Sequence, residues 1–149
     1  MTWLTPVFDR TSADVAFALQ KLTEWKQNPT AMYDLKGCLN ASDINRILNN
    51  NHYLGEKLNE CLYIAKYKRF DAVSEGTIFF RSDVVTMIAD TQCLLDDYFT
   101  PINAPPLPDT LLSFEQVNAL EENQHLLKEM IDDMISSMRE CDTFESGEE

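Results

Sequence analysis

Residues 44–65 read INRILNNNHYLGEKLNECLYIA. Within them Ile44, Ile47, Asn51, Leu54, Leu58, Cys61 and Ala65 recur at alternating spacings of three and four. That is the a/d seam of a helix packed in coiled-coil fashion, with a polar residue, Asn51, at an a position. Ser42 to Arg69 is predicted as one helix, about 42 Å long at 1.5 Å per residue.

The pattern returns 73 residues later, in a helix predicted over 113–141. Val117, Leu120, Gln124, Leu127, Ile131, Met134 and Met138 form its seam. Between 44–54 and 117–127, four of eleven positions are identical, and the polar seam positions coincide, Asn51 with Gln124. A polar residue at such a position costs stability and fixes register. In an up-down-up-down bundle these two helices run parallel. Asn51 and Gln124 then either hydrogen-bond at one height or both face solvent at a bundle edge.

Two more helices flank this repeat. The first, over 11–27, is capped by Thr11 or Ser12 with Asp14 in its first turn, and Asn28-Pro29 ends it. Its apolar face is Val15, Ala18, Leu19, Leu22 and Trp25. The other, over 82–99, opens at Ser82 and shows Val84, Val85, Ile88, Leu95 and Phe99. An arm over 1–10 reads as extended, anchored by Trp3 and Phe8, and 28–41 is a connection containing Gly37. Residues 77–80 are a short β-prone run. Pro101, Pro105, Pro106 and Pro108 make 100–110 a stiff connector, and 140–149 is an acidic tail with a frayed end. Four glycines are few for a turn-rich β protein. The expected fold is one all-α domain over 1–149. It is a four-helix bundle-like fold with two long heptad-patterned helices and a Pro-rich connector, and no sheet beyond a hairpin.

Composition narrows the function classes. Before residue 82 fall 10 of the 12 basic and 9 of the 25 acidic residues, a net of +1; the remainder carries 2 basic and 16 acidic, a net of −14. Nucleic acid is repelled by that half. The acidic surface either serves solubility or meets a basic partner. No stretch approaches the roughly 20 apolar residues that span a bilayer, so no membrane partner is expected. Met1–Pro6 lacks the basic start and apolar run of a signal peptide. Cys38, Cys61, Cys93 and Cys141 are widely spaced and read as reduced thiols of a protein made in a cytoplasm.

Chemistry-bearing patterns are weak. His52 and His125 have no nearby cysteine and no histidine at i+4, and read as partly exposed structural residues beside the seams. Asp96-Asp97 and Asp132-Asp133 are helical neighbours pointing about 100° apart, which makes no chelating site. Phosphate-cradling and nucleophile-elbow motifs are missing. The basic and aromatic run 63–70 reads as an anchor for the acidic half, in this chain or a neighbouring copy. No catalytic residue, metal or cofactor is expected.

Trp3-x-x-Pro6 with Asp9-Arg10-Thr11 and Asp14-Val15, then Asp34-Leu35-Lys36-Gly37, Leu39-Asn40 and Asp43-Ile44-Asn45-Arg46-Ile47, resembles small structural proteins of bacteriophages and prophages of Gram-positive bacteria. There a motif of the form D-[LY]-N-R-I-E-x-N followed by tyrosine-leucine recurs in tail, baseplate or fibre-associated proteins. Asn50 and Tyr53-Leu54 continue it here, and Val117-Asn118, Leu120-Glu121 and Asn123 resemble a second copy. The sequence departs at Leu48, where glutamate is expected, and at Ala119, where the second copy lacks the arginine.

The resemblance implies a non-catalytic virion component, made in the host cytoplasm, whose partners are other phage structural proteins or copies of itself. The alternative is a small cytoplasmic adaptor from a mobile element that binds a partner through its acidic half. An enzyme is the third class. The expected contact residues are Trp3, Ile44, Ile47, Asn51, Leu54, Val117, Leu120, Gln124, Leu127 and Ile131. The prolines before it lead to the expectation that the fourth helix packs partly against a neighbouring subunit or virion protein, the other possibility being a return into its own bundle.

Overall fold

The computed structural model describes residues 2–28, 35–65, 74 and 80–145, with side chains through Arg139. Among these the chain is all-α and bundle-like, with four helices and no strand. They are α1 (Ser12–Gln27), α2 (Ala41–Glu60), α3 (Arg81–Asp97) and α4 (Phe114–Glu145). The β-prone run 77–79 and the basic run 66–70 lie outside the described residues.

Each helix starts with the same local device. The third helical residue turns its side chain back to accept the backbone N–H of the capping residue. Asp14 takes Thr11 N–H at 2.8 Å, Asp43 takes Asn40 at 2.9 Å, Asp83 takes Phe80 at 2.9 Å, and Gln116 takes Ser113 at 3.1 Å. Orphan donors are satisfied and, in the three Asp cases, an anion sits at the positive end of the helix dipole.

α2, α3 and α4 pack on one another, and their contacts fix direction. One apolar cluster joins Ile44 and Ile47 to Met87 and Ile88 and to Val117 and Leu120. A second joins Leu54 and Leu58 to Leu94 and Leu95 and to Leu127 and Ile131. Residue numbers rise together on all three helices, so all three run parallel. This corrects the up-down-up-down expectation: α2 and α4 are parallel, and so is α3. The seam of α3 is Val84, Met87, Thr91, Leu94 and Tyr98, in step with Ile44, Ile47, Asn51, Leu54 and Leu58 of α2. Val85 and Phe99, read as core, are exposed. The repeat therefore has three copies, offset by 40 and then 33 residues.

Parallel neighbours need long returns. α3 has 17 residues, about 25 Å, which about eight residues of extended chain can retrace. The Pro-rich connector makes that return. Leaving Tyr98 in the second cluster, it places Leu107 against both clusters and Leu111 in the first. The prolines thus hold a strap along the bundle and do not hold α4 away from it. Val117, Leu120, Gln124, Leu127 and Ile131 are all buried within this chain, which corrects the expectation of a seam shared with a neighbouring subunit.

α2 also ends earlier than its seam predicts, at Glu60 and not Arg69. Leu62 takes the left-handed conformation, φ 67°. Tyr63 N–H then reaches Leu58 O at 2.9 Å and Leu62 N–H reaches Asn59 O at 3.0 Å. This is the hydrogen-bond pattern of a Schellman cap, formed with leucine where glycine is usual. Asn59 Oδ1 further accepts from Ala65 N–H at 3.0 Å. Tyr63 folds against Tyr98, ring centroids 5.1 Å apart, so aromatic packing across the end of the bundle replaces the next helical turn. Cys61 and Ala65 fall outside the helix, although Ala65 still touches the second cluster.

α1 stands apart. Ala18 alone of it is buried, Val15 and Leu22 are half-covered, and Leu19 and Trp25, read as core, are exposed. Gly37 fixes its first turn: a Cβ there would lie 2.1 Å from the backbone oxygen of Asp14, so only glycine allows that approach.

Candidate functional site

Two polar constellations lie in the core. The first is a layer across the three-helix axis. Asn51 Oδ1 accepts from Gln124 Nε2 at 2.8 Å and from Thr91 Oγ1 at 2.9 Å, and Asn51 Nδ2 donates to Met87 O at 3.2 Å. Gln124 Nε2 also donates to Ile47 O at 2.9 Å. All three side chains are buried, so of the two arrangements open to Asn51 and Gln124 the bundle adopts the hydrogen-bonded one. Thr91, the third member, comes from the helix whose copy of the repeat is least recognisable. A slip of one residue in any helix would strand these groups in apolar surroundings, which gives the layer its hold on register.

The second is a groove between α2 and α4 that holds the arm. Asp43, Arg46, Asn50 and Tyr53 make one stripe on α2, and Asn118, Glu121, His125 and Lys128 make one on α4, both at spacings of three and four. The arm runs against the helix direction. Trp3 packs on Tyr53, centroids 5.5 Å apart, with Lys128 Nζ 5.6 Å from its ring. Phe8 packs on His125 at 5.1 Å. Two asparagines grip the arm's backbone in bidentate fashion. Asn50 accepts Leu4 N–H at 3.1 Å and donates to Leu4 O at 2.8 Å. Asn118 accepts Arg10 N–H at 3.3 Å and donates to Arg10 O at 2.9 Å. An amide paired to a peptide in this way satisfies the arm's backbone as a neighbouring strand would. Asn123, aligned with Asn50 in the repeat, donates to Pro105 O of the connector at 2.8 Å.

At the lower end of the groove lies a charged quartet. Arg10 donates to Asp43 at 2.9 Å and to Glu121 at 3.0 Å. Arg46 forks onto Glu121 at 2.7 and 2.8 Å and reaches Asp43 at 2.6 Å. Glu121, with no exposure at all, also accepts Val7 N–H at 2.6 Å. Arg10 donates to Val7 O as well. Two guanidiniums thus face two carboxylates, and the quartet is neutral. Burial alone would lower the Arg46 guanidinium, but the hydrogen bonds and charge of Glu121, then of Asp43, outweigh it and hold it above its ordinary value. Asp43 does double duty, its other oxygen capping α2.

The two copies of the repeat complement one another here. The first copy has Arg46 without its glutamate, and the second has Glu121 without its arginine, so one pair is completed between copies. Of the expected contact residues, Ile44, Ile47, Asn51, Leu54, Val117, Leu120, Gln124, Leu127 and Ile131 form the core, and Trp3 is brought to the groove. Arg10, Asp43, Asn50, Thr91, Asn118 and Glu121 were not among them. His52 and His125 lie on the flanks, each beside a glutamate one turn on, Glu56 at 3.0 Å and Glu129 at 3.3 Å.

Beside the quartet is a hollow of about 310 Å³ between α1 and the start of α4, lined by Val15, Cys38, Leu111 and Val117 among others. Burial, then the charge of Asp43, pushes the Cys38 thiol up, which disfavours the thiolate. Among the described residues no group of three His, Cys, Asp or Glu is placed to hold a metal ion, and no helix is long and apolar enough to cross a membrane. No family model, curated protein or solved structure matches the chain.

Proposed function

We propose that the chain is a non-catalytic assembly protein, a tail, baseplate or neck component of a bacteriophage, acting through protein contacts. One observation carries the reading. The buried charges, Arg10, Asp43, Arg46 and Glu121, are directed at one another and at the arm, in a neutral cluster that stiffens the molecule. Large apolar side chains meanwhile stand exposed outside the core, Phe17 and Leu19 on α1 and Leu62, Ile64, Phe99 and Ile102 near the far end of the bundle. A rigid body with apolar surface outside its core suits a part that is built into something larger. The motif resemblance supplies the particle. The net −14 of residues 82–149 supports a second reading, a cytoplasmic adaptor for a basic partner. Mass spectrometry of purified particles from the host tests both. The virion reading requires the chain in the particle at fixed copy number, and recovery only in the soluble lysate, bound to one basic protein, would establish the adaptor instead.

A further inference from the structure

α2, α3 and α4 run parallel, so their C-terminal ends lie at one end of the bundle, where they stop at different heights. The last shared layer of the core is Leu58, Tyr98 and Ile131. Beyond it α2 has only Asn59 and Glu60, and α3 has already ended at Asp97. α4 continues from Asp132 to Glu145, about 21 Å at 1.5 Å per residue. Its first turn past the layer still touches the second cluster, through Met134 and Ile135. Then Ser136, Ser137, Met138 and Arg139 are all exposed. Four successive helical residues point around almost the whole circumference, so the helix there lies outside the bundle. Yet Met138 continues the seam of Ile131 and Met134, with 52% of it accessible. Leu62 and Ile64 after α2, and Phe99 and Ile102 after α3, are exposed at the same end.

The electrostatics of this end are one-sided. Three parallel helices bring three negative dipole ends together, and a base in each last turn would balance them. α2 has Lys57, which is paired with Glu60 at 2.8 Å. α3 closes on Asp96-Asp97 with no base in its last turn, and the last turn of α4 has none either. Residues 129–149 hold eight acidic residues and one base, Arg139, a net of −7. Acidic residues at a helix C-terminus destabilise the isolated chain, and a docked cation relieves them.

We propose that the overhang of α4 is a docking site for an amphipathic helix of a partner protein, apolar on one face and basic on its flanks. That helix takes the place beside α4 that α2 and α3 vacate. It lays its apolar face on Met138 and the exposed side chains after α2 and α3, and sets its Lys or Arg residues against the acidic flanks. Methionine suits such a contact because its unbranched thioether adapts to a partner's shape. Charge decides against a second copy, whose corresponding end is as acidic as this one. The proposal rests on the reading of the chain as one that acts through protein contacts, but its test needs no particle, so either can fail alone.

The test is titration of the full chain into a labelled peptide of about 14 residues with Leu at a and d and Lys elsewhere. Fluorescence anisotropy follows binding at ionic strengths of about 0.05 and 0.5 M. Saturable binding that weakens in high salt is expected, at least about tenfold tighter than for a scrambled isomer of the peptide or its Leu/Glu counterpart. Met138→Asp is expected to weaken it at least about tenfold, with an unchanged unfolding midpoint. That substitution adds negative charge, so attraction by charge alone would leave binding as tight or tighter. Leu112→Asp, at an exposed leucine just before α4, leaves binding as it was. A chain that ignores the peptide, a scrambled isomer that binds equally well, or binding indifferent to Met138→Asp or lost equally with Leu112→Asp overturns the proposal. So does self-association of the chain that Met138→Asp abolishes, which would make a second copy the occupant.

Discussion

α1 and α2 begin alike and end up in different worlds. Both open with an acceptor at the third helical residue, and they have 16 and 20 residues. Yet α2 buries eight residues while α1 buries Ala18 alone. The difference lies in periodicity. The apolar residues of α2 keep to one seam, whereas Ala16, Phe17 and Leu19 spread those of α1 around the helix. Local signals start a helix. A sustained stripe is what earns it a place in a core.

The largest effect expected in the core is from Glu121→Gln. It leaves Arg10 and Arg46 buried against one carboxylate, and a loss of about 3–5 kcal/mol in urea denaturation is expected. If that loss were no larger than for a substitution on α1, the quartet would not be holding α2 to α4. Next come Leu54→Ala and Leu127→Ala, each fully buried in the second cluster, with losses of about 2–5 kcal/mol. Equal denaturation slopes for mutant and wild type would show that these changes act on stability and not on the extent of unfolding.

Asn50→Ala removes one backbone grip on the arm and strands Leu4 N–H and C=O. A loss of about 1–3 kcal/mol is expected, with faster amide exchange in the arm than in α2. Uniform exchange would mean that the arm is held by Trp3 and Phe8 alone. Leu62→Gly sharpens the contrast in how the helices end, because it relieves a left-handed leucine at 91% exposure. It should raise stability by about 1 kcal/mol. The smallest effect is Leu19→Ala on α1, expected within about 0.5 kcal/mol by thermal or chemical melts.

Much of the fold was legible because it is written in short-range pattern. Thr11 with Asp14 marked the start of α1, and the seams of α2 and α4 were read residue by residue. The third seam was missed because Thr91 sits at its polar position and Val85 and Phe99 suggested a different face. The end of α2 was missed because Cys61 and Ala65 continue its apolar period. Tyr63 packing edge-to-face on Tyr98, a contact between residues 35 apart, takes the place of the next turn. The groove was legible only in fragments. Asp43, Arg46, Asn118 and Glu121 were visible as motif letters, but nothing local says that an arm over a hundred residues from Glu121 lies between them.

The sequence alone determined which segments are helical and which residues of α2 and α4 face inward, since these follow from side-chain spacing within a few residues. The tertiary structure decided the direction of α3, the course of the proline strap, the place of the arm and the isolation of α1. An a/d seam read backward is still an a/d seam, so periodicity fixes the buried face and leaves the sense of the axis open. That sense is set by whether the connections are long enough to return along the bundle, and by side chains such as Asn50, Asn118 and Asn123 that bind the returning chain.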